Sequence, residues 1–162
     1  MTAVFSACGT YRYTLERPLT PKPLSWLLWV MLNPSTADAA TDDATIRRVI
    51  GFTRSWGYQG ALVGNLYAFR ATNPADLWAY KRGGGDIVGP ENDEHINDLL
   101  RRASRVVIAW GAHASRDPKR AEHIEKLLKR RREVHALGFT ARGEPLHPLR
   151  QPADLQLVRC ES

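Results

Sequence analysis

Residues 26–38 read WLLWVMLNPSTAD: an unbroken apolar run to Leu32, then Asn33-Pro34, then small polar side chains. A strand wet on one face alternates in polarity, whereas an uninterrupted run of this kind suits a strand covered on both faces by helices. Pro34 pushes Asn33 toward an extended conformation. The run therefore ends by presenting an amide side chain and free backbone N–H groups at the sheet's carboxyl edge, where open α/β folds place their ligands.

The same logic extends outward. Residues 11–16, YRYTLE, alternate like a half-exposed strand, and Pro18, Pro21 and Pro23 forbid a helix after it, which predicts an edge element. Thr41-Asp42-Asp43 offers an N-cap and negative charge to a helix carrying Ile46, Val49 and Ile50 on one face and stopped by Gly57. Residues 61–65, ALVGN, form a second apolar strand, and a polar loop, 70–74, follows directly. Three glycines at 83–85 mark a connection. Residues 90–103 place Ile96, Leu99, Leu100 and Ala103 on one helical face. Residues 105–110, RVVIAW, follow as a third buried strand, residues 119–131 as another helix, and residues 134–137 as a short fourth strand. Strands alternating with helices imply right-handed crossovers, hence a three-layer α/β/α sandwich with a mainly parallel sheet of about four strands plus an N-terminal edge strand. In such a sheet the loops after Leu32, Asn65, Trp110 and Leu137 open on one edge and can converge.

At 162 residues the chain suits a single domain spanning 1–162. No run reaches the roughly 18–20 apolar residues of a membrane span, and MTAVFSACGTYRY lacks a charged start followed by a long apolar stretch, so no membrane partner and a cytoplasmic location are expected. Cys8 and Cys160 show no metal-binding spacing and read as structural or surface thiols. Lys and Arg outnumber Asp and Glu by 23 to 17, which favours a polyanionic partner or an anionic substrate over a basic one.

Three groups of residues carry candidate chemistry. Asn33 at its strand end could hold a water or a base edge, with Pro34 shaping the turn and Ser35, Thr36 and Asp38 adding hydroxyls and a carboxylate; turn building and local capping are the alternative. Asn65 carries the donor and acceptor needed to read a nucleobase edge, Tyr67 and Phe69 could stack on it, and Arg70 could meet a phosphate, although aromatics at such spacing often simply pack. His147, held by Pro148, could donate a hydrogen bond to a developing anion. Asp38, Asp42 and Asp43 could together take Mg²⁺, but helix capping explains the last two more cheaply, so no metal or cofactor is expected. Arg47 and Arg48 could salt-bridge or reach phosphate. The basic run Lys126, Lys129, Arg130, Arg131 and Arg132 reads by default as a solvated helix face.

With LNPSTAD, DDATIRR, SWGY, NLYAFRAT, VGPENDEHI, AWG and HPL in view, the chain resembles a bacterial and phage domain family of unassigned function, from Arg12 to Arg150. It is more distantly similar to the uracil-DNA glycosylase superfamily. Leu32-Asn33-Pro34-Ser35 resembles the motif that positions the attacking water there. Val63-Gly64-Asn65-Leu66 resembles the strand ending in a base-reading Asn, Val106 to Gly111 the strand that closes in Leu-Gly, and His147-Pro148 the start of the His-Pro-Ser motif. The resemblance implies hydrolysis of an N-glycosidic bond, with Asn33 orienting water, Asn65 holding the base, and His147 stabilising charge on the leaving base. Taken together with the residue chemistry above, the expected ligand site comprises Pro34, Ser35, Thr36, Asp38, Asn65, Tyr67, Arg70 and Gly111. Leu149-Arg150 departs from the small residue and proline that usually follow His-Pro, and the four cysteine ligands of the iron–sulfur branch are absent. The partner expected is nucleic acid or a nucleotide; the alternatives are a noncatalytic module for a modified base and a Mg²⁺-dependent nucleotide-processing enzyme.

Overall fold

In a computed structural model, which describes residues 1–130 and 132–160, the chain builds one sheet of seven strands flanked by helices. The strands are β1 (Thr2–Phe5), β2 (Arg12–Pro18), β3 (Trp26–Met31), β4 (Gly60–Asn65), β5 (Arg105–Ile108), β6 (Val134–Ala136) and β7 (Val158–Arg159), in the order β1-β2-β4-β3-β5-β6-β7. The parallel centre β4-β3-β5-β6 follows the apolar runs of the sequence. The sheet is larger than the sequence predicts, because β1 and β7 add to the four parallel strands and the N-terminal strand β2, and all three outer strands run antiparallel to their neighbours. β2 is consequently not the edge: β1 covers it.

Side chains of β3 alternate between two cores, which is why no polar position interrupts it. Leu27, Trp29 and Met31 meet Ile46, Val49 and Phe52 of helix α1 (Ala44–Ser55) on one face. Leu28 and Val30 pack on the other face with Leu77 of α2 (Pro74–Arg82), Ile96 and Leu99 of α3 (Asn92–Arg102), and Ile124 and Leu128 of α4 (Pro118–Lys129). Trp29 lies fully buried against Phe52 and Trp56, and its Nε1 donates to the Thr53 hydroxyl at 3.0 Å, so the largest core ring leaves no orphan donor. Gly57, at φ +78°, follows the last turn of α1, as the sequence requires.

The register of β1 on β2 decides what faces where. Val4 lies opposite Thr14 and Phe5 opposite Arg12, so Tyr13 is an extra residue in β2. Such a bulge shifts the alternation of side chains by one. Tyr13 therefore turns toward α3, where its ring stacks on His95 at 4.7 Å, and Arg12 turns to the α1 face with Leu15 and Arg17.

Arg17, 1 % exposed, donates from Nε to Asp42 at 2.6 Å and from Nη2 to the carbonyls of Asp38 and Thr41, which clasps the segment leading into α1. In α4 and just beyond it the basic run is largely paired at home: Lys126 with Glu122, Lys129 with Glu125 at 3.0 Å, and, past the helix, Arg132 Nε with the Ala103 carbonyl at 2.9 Å. Arg131 of that run lies outside the described residues. Among the described residues no helix is long and apolar enough to cross a membrane.

Candidate functional site

β3 connects to β4 on one side and β5 to β6 on the other, so the loops leaving β3 and β5 diverge and open a crevice between them. This is where doubly wound sheets bind ligands. A cavity of about 720 Å³ occupies it, walled by the loop after β3, the first turn of α1, the loop leading into α2, the loop after β5 and the His147–Arg150 segment. Its floor is buried and mostly apolar, comprising Met31, Leu32, Ile46, Trp110, Gly111 and the guanidinium-bearing Arg12. Its rim is exposed and polar, with Thr36, Thr72, His113 and Arg150. A mainly apolar vessel with a few convergent polar groups is the usual form of a small-molecule site.

Asn33 reaches this cavity from the end of β3. Its Nδ2 donates to the carbonyls of Ala71, at 2.7 Å, and Pro34, at 3.0 Å. Two carbonyl acceptors on one side fix the amide's orientation and leave Oδ1 without a protein donor among the described residues. The turn-building reading is thus part of the answer, since the same amide ties two loops together.

His147 is delivered by backbone contacts from two directions. The Leu146 N–H donates to the Gly138 carbonyl at 2.9 Å, and the Gly111 N–H donates to the Pro145 carbonyl at 3.0 Å. Gly111 has φ +73°, and a Cβ there would lie 3.3 Å from the His147 Cβ, so a side chain would be strained and would press on the imidazole's own anchor. The Leu149 N–H donates to His147 Nδ1 at 3.3 Å, which makes Nδ1 the acceptor and leaves the proton of the neutral ring on Nε2. Burial, reinforced by His113 and opposed by Asp43, holds the imidazole below its ordinary value of 6.5.

That shift has a thermodynamic sign. A histidine kept neutral by the fold contributes stability that is complete above pH 6.5 and is lost as pH falls through its lowered folded value. An NMR titration of the ring should place its midpoint below 6.5. A midpoint above that value would remove the neutral donor.

Ser35, Thr36 and Gly111 also line the cavity. Pro34 is buried behind it, and its carbonyl accepts from Asn33 Nδ2 and from the Ala71 N–H. Asp38 lies outside it: Oδ1 accepts from the N–H groups of Ala40 and Thr41, both at 2.8 Å, which is local capping. Asn65 corrects the sequence expectation. Beyond β4 the chain continues alongside the end of β3, with the Leu66 N–H donating to Met31 and the Tyr67 N–H to Leu32, so residues 65–68 stay buried instead of turning into solvent. Asn65 is 1 % exposed and does not line the cavity. Tyr67 is spent likewise, packing edge-on against Trp78 at 5.4 Å. Arg70 faces the neighbouring grooves, where Nη1 donates to the Gly9 carbonyl and the guanidinium covers Phe5. Arg47 and Arg48 of α1 do not line the cavity and are committed to backbone carbonyls, Arg47 to Asp42 and Arg48 to Gln151.

Asp38, Asp42 and Asp43 do not converge on a common point. Asp42 serves Arg17, and Asp43 Oδ1 caps α1 by accepting from the Ile46 N–H at 2.8 Å. Among the described residues no group of three or more His, Cys, Asp or Glu side chains is placed to hold a metal ion. Asp43 nevertheless lines the cavity, the single carboxylate to do so among the described residues.

Arg12 is the residue that sequence reasoning missed. It is 2 % exposed, lines the cavity, and donates from Nη1 to the Ala37 carbonyl, while Nε meets no partner. Burial lowers its pKa from 12.5 to about 10, with Asp43 acting in the opposite sense, so it remains charged at neutral pH.

A family model described as "Protein of unknown function (DUF1643)" matches residues 12–149. The chain belongs to that family. The matched span starts at Arg12 and includes every wall of the cavity except Arg150, so the family's shared sequence and the crevice coincide. No curated protein and no solved structure matches the chain.

Proposed function

We propose that this DUF1643 member cleaves, or at minimum recognises, an N-glycosidic bond to a nucleobase. The observation that carries the reading is the pairing of an oriented acceptor, Asn33 Oδ1, with an oriented donor, His147 Nε2–H, on the walls of one cavity.

In this mechanism Asn33 Oδ1 accepts a hydrogen bond from a water and aims its lone pair at the sugar's anomeric carbon. As the C–N bond lengthens the sugar gains oxocarbenium character and the base gathers negative charge. His147 donates its Nε2–H to that base. The gain is largest where water is excluded, and the imidazole needs no reorganisation because Leu149 already fixes its tautomer. Asp43 accepts the proton that the attacking water loses, or a sugar hydroxyl in the resting complex. Asn65, buried behind the strand end, has no part in this scheme. Met31, Leu32, Ile46 and Trp110 supply the apolar wall for the flat base.

The test is direct. The protein is incubated with nucleosides, nucleotides and base-modified oligonucleotides, with chelator present, and free base is separated by chromatography. Release from at least one class, abolished by Asn33→Ala, is the expected result. Tight binding with no release from any class would leave a recognition module, and activity lost on chelation would return the acidic residues to consideration as metal ligands.

A further inference from the structure

Among the described residues three arginines are buried, and two of them are answered. Arg17 pairs with Asp42 at 2.6 Å, and Arg120 pairs with Asp93 at 2.6 Å while its Nε donates to the Leu66 carbonyl at 2.8 Å. Arg12, as buried as Arg17, has no ion pair among the described residues, and one backbone carbonyl is its only side-chain acceptor. A guanidinium withdrawn from water without a counter-ion is costly, and folds keep one only where something compensates it. Here the side chain stands on the floor of the cavity already described.

Two neighbours point the same way. Ala44 and Thr45, the first residues of α1, also line the cavity. Asp43 caps the Ile46 N–H and Arg47 N–H bonds back to the Asp43 carbonyl, which leaves the first two amides of the helix unclaimed at its positive end. Arg150 lines the rim in a left-handed backbone conformation, φ 65°, that a non-glycine residue seldom holds and that clusters at ligand sites. Asp43 opposes an anion, but with one carboxylate oxygen engaged by the helix its other oxygen suits sugar hydroxyls better than it neutralises Arg12, with which it forms no ion pair.

We propose that Arg12 and the first turn of α1 form a phosphoryl subsite, and that the cavity's ligand is a free nucleoside monophosphate instead of an internal residue of a nucleic-acid strand. The inference rests on the cavity being a nucleobase site, as argued above, and names its substrate class. Depth is the reason for choosing a monomer. Arg12 is at the buried floor, whereas Thr36, Thr72, His113 and Arg150 form the exposed rim. A terminal phosphate can descend to that floor, but a phosphodiester with chain continuing on both sides cannot. The arginines outside the floor do not compose a backbone-tracking groove either, since Arg47, Arg48 and Arg70 donate to the protein's own carbonyls.

The experiment measures binding to the full chain by calorimetry for matched pairs, nucleoside and 5′-monophosphate, with inorganic phosphate and a 5′-phosphorylated single-stranded oligonucleotide as further arms. The expected result is that monophosphates bind at least about tenfold more tightly than their nucleosides. Arg12→Gln should abolish that difference, and Arg12→Lys should restore part of it. Because a buried substitution can unfold the chain, wild-type protein is also melted with increasing inorganic phosphate, where a concentration-dependent rise in Tm is expected and a flat response counts against the subsite. Equal affinity for nucleoside and monophosphate, or measurable binding confined to the oligonucleotide, overturns the proposal. Monophosphate binding without base release keeps the subsite and sinks the hydrolytic reading. Base release from strands without monophosphate binding does the reverse.

Discussion

Replacing His147 with Ala lowers base release about 10²–10³-fold at saturating substrate, the loss seen when one preorganised donor to a developing anion is removed. The effect falls on kcat more than on KM, because the base carries little charge before the bond breaks. His147→Gln is the informative companion. Its amide N–H can take the place of the imidazole Nε2–H without titrating, so part of the rate returns and the acid limb of the pH profile disappears. In the wild type that limb lies below pH 6.5, since burial lowers the ring's pKa and protonation at Nδ1 would set an N–H against the Leu149 N–H. If His147→Ala retained full rate on a substrate the wild type cleaves, the imidazole would be a packing group and nothing more.

The second large effect is on stability. Asp42→Ala strands the fully buried Arg17 without its carboxylate, and breaking one side of such a pair costs about 3–5 kcal/mol. Asp42 is 26 % exposed, so water enters and the lower end of that range is the expected value. For a domain of this size about 3 kcal/mol corresponds to a fall in Tm of roughly 6–12 °C. Asp98→Ala is the contrast: its partner Arg101 is 58 % exposed, and a surface pair of that kind moves stability by less than about 1 kcal/mol. Denaturant titration of the two variants side by side settles the matter. Equal, small losses would mean that the loop before α1 rearranges freely around Arg17.

The first expectation starts from a His-Pro step legible in the sequence, whereas the pairing of Arg17 with Asp42 exists only in the folded chain; the fold was the more legible part. Leu27 to Leu32 and Val106 to Ile108 announce covered parallel strands because neither face of those strands sees water. Leu77 and Trp78 are the only buried residues of α2, too few to mark a helical period, and the two residues of β7 are exposed and carry no alternation. Neither element leaves a trace in polarity.

The site was legible in half. Asn33 and His147 stand where a strand-ending turn and a His-Pro step put them, and the alternation rules need only local sequence to say so. Asn65 was misplaced because a side chain's exposure depends on whether the strand's ladder stops with it. Here Asn92 Nδ2 donates to the carbonyls of Asn65 and Leu66 at 3.0 and 3.2 Å and holds the continuation inside. Arg12 was hidden by register, which exists only between two strands.

That register makes an indel in the N-terminal hairpin a long-range event. Inserting one residue between Val4 and Phe5 would give Tyr13 a partner, restore strict two-residue parity in β2, swing Arg12 to the α3 side, and leave the crevice with its helix amides but no floor cation. On the phosphoryl-subsite proposal, the ligand preference of a pocket formed by the central strands is set by one surplus position in a strand that contributes no loop to it, so a relative whose β1 carries the matching extra residue would be expected to favour uncharged ligands.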